Sequence, residues 1–126
     1  MDIKYIKNGE ITAEEIIDVF KSVGWCKEQD NICEAFKNSY YVIAYDGEKM
    51  IGLTRALSDG YYYTGIYDVI VRPDYQKLGI GKKLMETVLD EFKGTYFFLS
   101  YTEGKKGFYE KCGFEQINNG MWIPRN

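Results

Sequence analysis

Two glycines, two positions apart and followed directly by a long amphipathic segment, mark the part of this sequence best suited to bind an anion. The stretch Gln76-Lys77-Leu78-Gly79-Ile80-Gly81 leads into an apolar periodicity that runs from Ile80 to Phe92. A helix start leaves backbone N–H groups unpaired and carries partial positive charge, and glycine lets a phosphate approach it closely. Lys77, Lys82 and Lys83 add positive charge. The sequence therefore predicts a pyrophosphate site at the start of this helix.

Two common phosphate-binding loops do not fit this stretch. A Walker loop needs a glycine five residues before its Gly-Lys pair and a Ser or Thr after it, but Gln76 and Lys83 stand there. The dinucleotide fingerprint needs a third glycine where Leu84 stands. The remaining pattern is Gln/Arg-x-x-Gly-x-Gly, preceded by Val71-Arg72-Pro73 at the end of a β-branched run, Thr64 to Val71.

This pattern resembles the coenzyme A pyrophosphate loop of the GCN5-related N-acetyltransferase (GNAT) superfamily. Two further segments support the resemblance. Phe108 to Phe114 is similar to the family's late helix, which ends in an aromatic-glycine-aromatic step. Thr95 to Tyr101 is an aromatic strand at the place where the family has a strand that splays away from its neighbour. By motif the resemblance covers about half of the chain, from Thr64 to Phe114.

The resemblance implies that acetyl-CoA places its pyrophosphate on backbone N–H groups from Leu78 to Lys83, with Gln76 and the lysines assisting. It also implies that the pantetheine pairs with the main chain at the end of the preceding strand, where one N–H group would stabilise the oxyanion. Thr102 and Lys105 depart from the Asn and Ala that the family often carries before its Phe-Tyr pair. The implied cofactor-binding residues are Val69, Ile70, Val71, Gln76, Lys77, Leu78, Gly79, Ile80, Gly81, Lys82, Lys83, Thr102, Phe108 and Tyr109.

Three residues are candidates for proton transfer. Tyr109 matches the family tyrosine whose hydroxyl protonates the departing CoA thiolate, although it could also be an ordinary amphipathic aromatic in a chain with 12 tyrosines. The acceptor amine must lose a proton before it attacks, so a carboxylate or a water chain is expected nearby. Asp68 is the first candidate base and Glu103 the second; the alternative for either is a salt bridge.

The acceptor is expected to contact the loop between the first two helices, as in the resembled family. Here that loop carries Trp25, Cys26, Lys27 and Glu28, and Tyr67 and Tyr101 are further residues that could line the slot. The nearby Tyr61-Tyr62-Tyr63 run could hold a cation or stack on a ring, or could simply be a strand with alternate faces buried.

The other elements follow from turn, capping and periodicity signals. The sequence predicts a strand Ile3–Ile6, a helix from the Thr12–Glu15 capping box to Gly24, a helix Asp30–Asn38, a hairpin of Tyr40–Tyr45 and Met50–Ala56 about Asp46-Gly47, a helix Lys105–Lys111, and a last hairpin of Phe114–Ile117 and Met121–Ile123. This order is that of the acyl-CoA N-acyltransferase fold. It is an α/β class with a central mixed, mostly antiparallel sheet of six to seven strands and about four helices on both faces.

Bulk properties narrow the function further. The 126 residues, 45% of them hydrophobic, fit one domain, 1–126, and the absence of histidine removes the Ser-His and Cys-His nucleophile pairs. A net charge of -3 argues against nucleic acid as a partner. No apolar run or signal layout points to a membrane, so a cytoplasmic location is expected. Three cysteines at irregular spacing predict neither a disulfide framework nor a metal site.

Together these observations predict an N-acetyltransferase that moves the acetyl group directly to a primary amine of a small molecule. Two alternatives stay open: a protein or peptide N-acetyltransferase, and a non-catalytic acyl-CoA-binding regulatory module. The resemblance also makes a homodimer an expectation. The sequence does not identify the acceptor amine, the general base or the range of acyl groups.

Overall fold

A mixed five-stranded sheet runs through the computed structural model, which describes residues 2–25 and 30–125. The strands are β1 (Ile3–Lys7), β2 (Tyr40–Asp46), β3 (Lys49–Ser58), β4 (Tyr63–Val71) and β5 (Tyr96–Phe98). The helices are α1 (Ala13–Ser22), α2 (Ile32–Lys37), α3 (Ile80–Glu91) and α4 (Lys106–Lys111), with a short 3-10 helix at Pro73–Tyr75. No helix in these residues is both long and apolar enough to cross a membrane.

The strands lie in the order β1-β2-β3-β4-β5. The first four form an antiparallel meander, and β5 pairs with β4 in parallel. The predicted hairpin between β2 and β3 is confirmed, since Asp46 pairs with Lys49 across the loop and Gly47 has a φ of 62°. Glycine fits there because a positive φ costs it nothing.

The first helix forms where its capping signals predict. The Thr12 side chain accepts from the Glu15 N–H at 3.2 Å, while the Glu15 side chain accepts from the Thr12 N–H at 3.3 Å. This reciprocal box satisfies two donors that a helix start leaves unpaired. At the other end Gly24, with a φ of 84°, follows the last turn. The local sequence therefore sets both ends of α1, and with them the start of the loop that carries Trp25.

Two apolar layers cover the two faces of the sheet. Helices α1 and α2 pack on one face through Ile16, Val19, Phe20, Ile32 and Phe36. Helix α3 packs on the other through Ile80, Leu84, Met85 and Val88, and Phe108 and Tyr109 of α4 lie half-buried on the same side. Burying one such aliphatic side chain contributes roughly 1.5 to 3 kcal/mol. The helices on both faces confirm the predicted fold class.

The sheet opens at the end of β4. Strand β5 pairs only with Tyr63, Thr64 and Gly65, so the rest of β4 has no neighbour on that side among the described residues. On its other side β4 carries a bulge: Thr54 of β3 pairs with Val69, and Arg55 pairs with Tyr67, which leaves Asp68 unpaired. A bulge bends and twists its strand, and here it coincides with the gap between β4 and β5.

The predicted sheet of six to seven strands is wrong in its strand count. The missing pair is the terminal hairpin, because Phe114–Ile117 and Met121–Ile123 form no strand in the described chain and Met121 is 100% exposed. The apolar runs and the Asn-Asn-Gly turn are local signals, whereas a hairpin needs a sheet to join. Strand β5, the sheet edge nearest in sequence to these runs, is only three residues long.

Two predicted elements are also shorter than expected. Asn31 has a φ of 59°, so α2 begins at Ile32 rather than Asp30. Strand β5 ends at Phe98 rather than Tyr101, because the chain leaves β4 after three paired residues.

Candidate active site

A groove of about 870 Å³ lies between the open end of β4 and the starts of α3 and α4. Its size is that of an ordinary ligand pocket. Most of the residues singled out from the sequence line it: Trp25, Tyr67, Asp68, Val69, Val71, Gln76, Lys77, Gly79, Gly81, Lys82, Tyr101, Thr102, Phe108 and Tyr109.

The start of α3 faces this groove with free donors. Gly79 caps the helix with its backbone only, and the first helical hydrogen bond runs from the Lys83 N–H to the Gly79 carbonyl at 3.0 Å. The N–H groups of Ile80, Gly81 and Lys82 therefore have no backbone acceptor in the part of the chain that the structure describes. The first turn contains no acid. Lysines at that end oppose the helix dipole, so their presence suits a bound anion better than an isolated helix.

The two glycines of the loop are required for different structural reasons. Gly79 has a φ of 85°, a conformation that side chains other than glycine rarely adopt. A Cβ added at Gly81 would lie 3.3 Å from two ring carbons of Phe108. Close packing therefore also explains Gly81. The anion site is better supported by the free N–H groups and by Lys77 and Lys82, which line the groove.

Four predicted cofactor contacts lie in surroundings that the sequence did not indicate. Lys83 cannot offer its N–H, because the Gly79 carbonyl already accepts it. Leu78 is 55% exposed and lies outside the groove lining. Gln76 lines the groove but donates its side-chain N–H to the Val71 carbonyl at 2.9 Å, so it braces the loop against the strand end. Ile70, the fourth, is buried in the core on the α1 side.

The backbone of β4 explains why Ile70 differs from its neighbours. The Arg72 N–H donates to the Ile51 carbonyl of β3 at 2.9 Å. Because backbone groups of successive strand residues alternate in direction, Ile70 also points its backbone at β3, whereas Val69 and Val71 point theirs at the gap beside β5. Both valines line the groove. They can pair with an extended ligand as an added strand would.

Tyr109 lies at the inner wall of the groove among aromatic rings. Its ring centroid lies 5.0 Å from Phe108, 6.1 Å from Phe114 and 6.5 Å from Tyr101. Burial, followed by the nearby Cys112 thiol, raises the pKa of Tyr109 to about 12. Within residues 2–25 and 30–125 its hydroxyl has no hydrogen-bond partner. The side chain is therefore a protonated donor available to a ligand, which is the state that the predicted acid role needs.

The two candidate bases lie in different surroundings. Asp68 borders the groove, but its carboxylate accepts from the Arg55 Nε at 2.5 Å, so the salt bridge considered as its alternative is present. Glu103 is not brought to the groove. It lies at an exposed turn closed by the Lys105 N–H donating to the Thr102 carbonyl at 3.1 Å, since β5 has already ended at Phe98. Glu103 as a base therefore stays a prediction, and the groove lining does not include it.

A second cavity of about 760 Å³ adjoins the groove and shares four residues with it: Trp25, Arg55, Asp68 and Thr102. The rest of its wall comes from α1, α2 and the chain end, including Phe20, Ile32 and Ala35. Trp25 packs edge-on against Phe20 at 6.1 Å between centroids. The predicted acceptor residues Cys26, Lys27 and Glu28 lie outside the described residues.

The tyrosine run lies in neither cavity. Tyr61, Tyr62 and Tyr63 are 83%, 68% and 55% exposed, in the turn into β4. The Asp59 carboxylate accepts their three backbone N–H groups.

Sequence reasoning missed several residues of the site. Arg55 was not singled out, although a charged residue within the apolar run of β3 was a usable signal. Ser100 and Lys111 also line the groove, and nothing in their sequence context marks them. Lys105, noted only as a departure from the family pattern, adds a positive charge to the same wall.

Comparison with known proteins points to one family. A family model described as an acetyltransferase (GNAT) domain matches residues 37–116. An uncharacterized N-acetyltransferase, ycf52, of Pyropia yezoensis is 30% identical over 98% of this chain and 79% of its own length. The solved structure of a GNAT family acetyltransferase from Streptococcus pneumoniae superposes with a TM-score of 0.85, at 31% identity over 99% of this chain and 100% of that one. A relative from Glycine max named histone acetyltransferase TAP1 is 28% identical over 98% of this chain and 62% of its own length.

Proposed function

The chain belongs to the GNAT family of acetyl-CoA-dependent acetyltransferases, and from that premise we propose that it moves the acetyl group directly to the primary amine of a small molecule. The observation that carries the proposal is one continuous groove. It joins the open start of α3, the unpaired backbone at the end of β4 and the hydroxyl of Tyr109.

Each part of the groove has a task that its chemistry suits. The N–H groups of Ile80, Gly81 and Lys82, with the Lys77 and Lys82 side chains, would hold the diphosphate. When bound, acetyl-CoA supplies the acetyl group as a thioester. The Val69 N–H faces the gap and can stabilise negative charge on an oxygen placed there.

Tyr109 would provide the proton for a leaving thiolate. Its phenol stays protonated well above neutral pH because burial disfavours the phenolate.

The adjoining cavity supports a small acceptor. It is a recess with both apolar and charged walls, formed by Trp25, Phe20, Ile32, Ala35 and Asp30. An amine with an apolar body would place the body against these rings and aliphatic groups, and its cation near Asp30.

A panel of small primary amines, scored by release of free CoA thiol, tests the proposal. We expect at least one amine to raise CoA release well above the rate without amine, and Tyr109→Phe to remove most of that increase. Calorimetry with CoA should run beside it. If CoA does not bind, the groove assignment fails. If CoA binds but neither amines nor peptides release it, the regulatory module is the better reading.

Protein or peptide acetylation is the second candidate. The histone acetyltransferase name of the Glycine max relative favours it. The same assay with lysine-containing peptides separates the two, because a small-molecule enzyme should favour free amines by a wide margin in kcat/KM.

We also propose a homodimer. Strand β5 is an open edge whose first and last residues, Tyr96 and Phe98, are 66% and 46% exposed. Trp122 and Ile123 are 83% and 95% exposed. One chain thus carries both an open edge and a separate apolar segment, which a second copy could bury reciprocally. Light scattering should give twice the mass of one chain, and Trp122→Glu should halve it. A wild-type monomer at micromolar concentration contradicts this.

The cytoplasm stays the proposed location. Several plant relatives are named as chloroplastic, which makes the location worth measuring directly. Fractionation of cells that express the native gene is the appropriate measurement.

A further inference from the structure

Arg55 holds the residue at the centre of the β4 bulge. Its Nε donates to the Asp68 carboxylate at 2.5 Å, and a terminal nitrogen donates to the Ser39 hydroxyl at 3.2 Å. The guanidinium lies near two rings, 5.6 Å from the Phe36 centroid and 5.7 Å from the Tyr67 centroid. Only 20% of the Arg55 side chain is exposed, and the same fraction of Asp68. Contacts on several elements therefore fix this guanidinium.

The backbone conformation of Asp68 is one that surrounding contacts must stabilise. Its φ is 58°, in the left-handed region that residues other than glycine seldom adopt, and it is the unpaired residue of the bulge. Strained backbone persists only where the surroundings enforce it. The ladder resumes at Val69, so the bulge sets the direction in which Val69 presents its N–H to the groove.

A neighbouring contact shows how closely the bulge is packed. The Tyr67 ring lies over Gly65, where an added Cβ would be only 2.6 Å from the Tyr67 hydroxyl. Tyr67 directly precedes Asp68 in the chain. Its ring lies near the Arg55 guanidinium and lines the groove. A shift of the bulge would therefore move groups that line the groove on both sides of Asp68.

We propose that Arg55 is a positioning residue for acetyl transfer: its ion pair with Asp68 clamps the bulge so that Val69 faces the reacting groups. The inference rests on the proposed function and deepens it. Asp68 then serves as the hydrogen-bond acceptor for Arg55, and not as the base that removes a proton from the amine. Arg55 and Asp68 each line the groove and also the adjoining 760 Å³ cavity, here called the acceptor cavity. The ion pair therefore lies where the groove and the acceptor cavity meet.

Substitutions at Asp68 separate the two roles. Asparagine keeps an oxygen for the Arg55 Nε and tolerates a left-handed backbone as well as aspartate does, but it cannot act as a base. Glycine also tolerates this backbone but offers no acceptor. If Asp68 positions, Asp68→Asn should lose about 10-fold less kcat than Asp68→Gly, because its amide oxygen can still accept from Arg55. A base role makes both variants equally slow, and that result would overturn the proposal.

Substitutions at Arg55 test the other partner. Arg55→Leu should lower kcat by about 10- to 100-fold with CoA affinity changed by less than about twofold. The double variant Arg55→Leu/Asp68→Gly should have a kcat no lower than that of the slower single variant, because both substitutions break the same contact. Wild-type kcat in Arg55→Leu would refute the clamp. Arg55→Lys keeps the cation near the rings but lacks Nε, so it should lose activity even if the leucine variant does not fold.

The Arg72–Asp18 pair provides the matched control. Its nitrogen and oxygen lie 2.7 Å apart, and neither residue is among the described residues that line the groove or the acceptor cavity. Asp18→Ala should keep wild-type kinetics.

An amide spectrum of the CoA-free protein tests the clamp without turnover. Arg55→Leu should shift the Val69 resonance strongly, and Asp68→Asn and Asp18→Ala should shift it little. An unmoved Val69 resonance in Arg55→Leu contradicts the clamp whether or not an acceptor has been found. Absent turnover in wild type, with the expected shifts present, contradicts only the proposed function.

Discussion

The groove that we propose for the cofactor and the cavity that we propose for the acceptor adjoin, yet they are built in different ways. The groove takes its main donors from backbone N–H groups and nearby lysines, and all but two of its lining residues fall between Ile66 and Lys111. The acceptor cavity takes side chains from α1, α2, β3, β4 and the chain end, from Phe20 to Arg125. The groove therefore depends on local geometry that many sequences can preserve. The cavity depends on the identity of scattered side chains.

The comparisons follow the same division. The family model matches residues 37–116, which include the glycine loop, the end of β4 and Tyr109 but exclude Trp25 and the rest of the α1–α2 wall. Family membership thus establishes acetyl-CoA as the donor and says little about the acceptor. Variants in the two regions should accordingly separate CoA affinity, turnover and amine recognition.

The largest effect is expected at Tyr109, which lines the groove and is the proposed proton donor. Tyr109→Phe removes the hydroxyl and keeps the ring contacts with Phe108 and Phe114, so kcat should fall by about 100- to 1000-fold while CoA affinity stays within about twofold. Steady-state kinetics and calorimetry measure the two quantities. Wild-type turnover in this variant would remove Tyr109 from the mechanism.

The pH dependence checks the same residue. Burial raises the pKa of Tyr109 to about 12, so its protonated form persists from neutral pH upward and is lost only as pH rises through that value. The kcat of wild type should therefore show no loss that belongs to this phenol up to about pH 10. A falling limb near pH 8 or 9 that disappears in Tyr109→Phe would show that the hydroxyl is more acidic than its burial implies.

Gly81 tests the groove alone. Gly81→Val should weaken CoA binding roughly 10- to 100-fold, because the branched side chain obstructs the free N–H groups and its contact with Phe108 displaces the loop that carries them. Gly120→Ala, at a position with no atom within 4 Å of the new Cβ, is the control. Unchanged CoA affinity would contradict the loop assignment.

A second variant tells the two causes apart at Gly81. Phe108→Ala in the Gly81→Val background makes room for the valine. If affinity returns, packing against Phe108 explains the glycine. If it does not return although Phe108→Ala alone binds CoA like wild type, the glycine is needed for the approach of the anion.

The groove could be predicted from the sequence because its signals are local. Gly79 and Gly81 before an amphipathic run identify an open helix start, and the Phe108-Tyr109 pair follows in one short helix. What the sequence did not predict depends on how the chain folds beyond each local pattern. Whether Gln76 points at a ligand or at the Val71 carbonyl, and whether the last apolar runs find a sheet edge, are decided by tertiary structure.

Asp68 illustrates the limit most clearly. Alternation along a strand gives no side-chain direction at a bulge, and the bulge arises from the register between β3 and β4. Its partner, Arg55, lies 13 residues earlier in the chain. The sequence could suggest a salt bridge but not its partner or its place between two cavities.

Ala35 tests the acceptor cavity alone, since it lines that cavity and not the groove. Ala35→Met is tolerated by a helix and fills part of the recess. We expect KM for the best amine to rise roughly 10-fold, with smaller amines less affected and CoA affinity unchanged. Equal effects on all amines would indicate that the acceptor binds elsewhere.

The smallest kinetic effect is expected at Asp59, whose turn belongs to neither region. Its carboxylate accepts backbone N–H groups from Tyr62 at 2.7 Å, Tyr61 at 2.8 Å and Tyr63 at 3.1 Å, and these bonds lower its pKa. A carboxyl with a lowered pKa in the folded state stabilises the fold above its unfolded value, and that contribution disappears as pH falls through the folded value. Asp59→Asn should therefore lower Tm at pH 7, and the difference from wild type should vanish in acid.

Asp59→Asn is also a control for the comparison between the groove and the acceptor cavity. Because Asp59 lines neither cavity, kcat and both KM values should stay at wild-type levels while Tm changes. Thermal melts at several pH values, run beside the kinetic assay, measure both. If a stability change in this exposed turn altered amine KM, the cavity effects at Ala35 could not be assigned to contact with the acceptor, and the separation of the two regions would be lost.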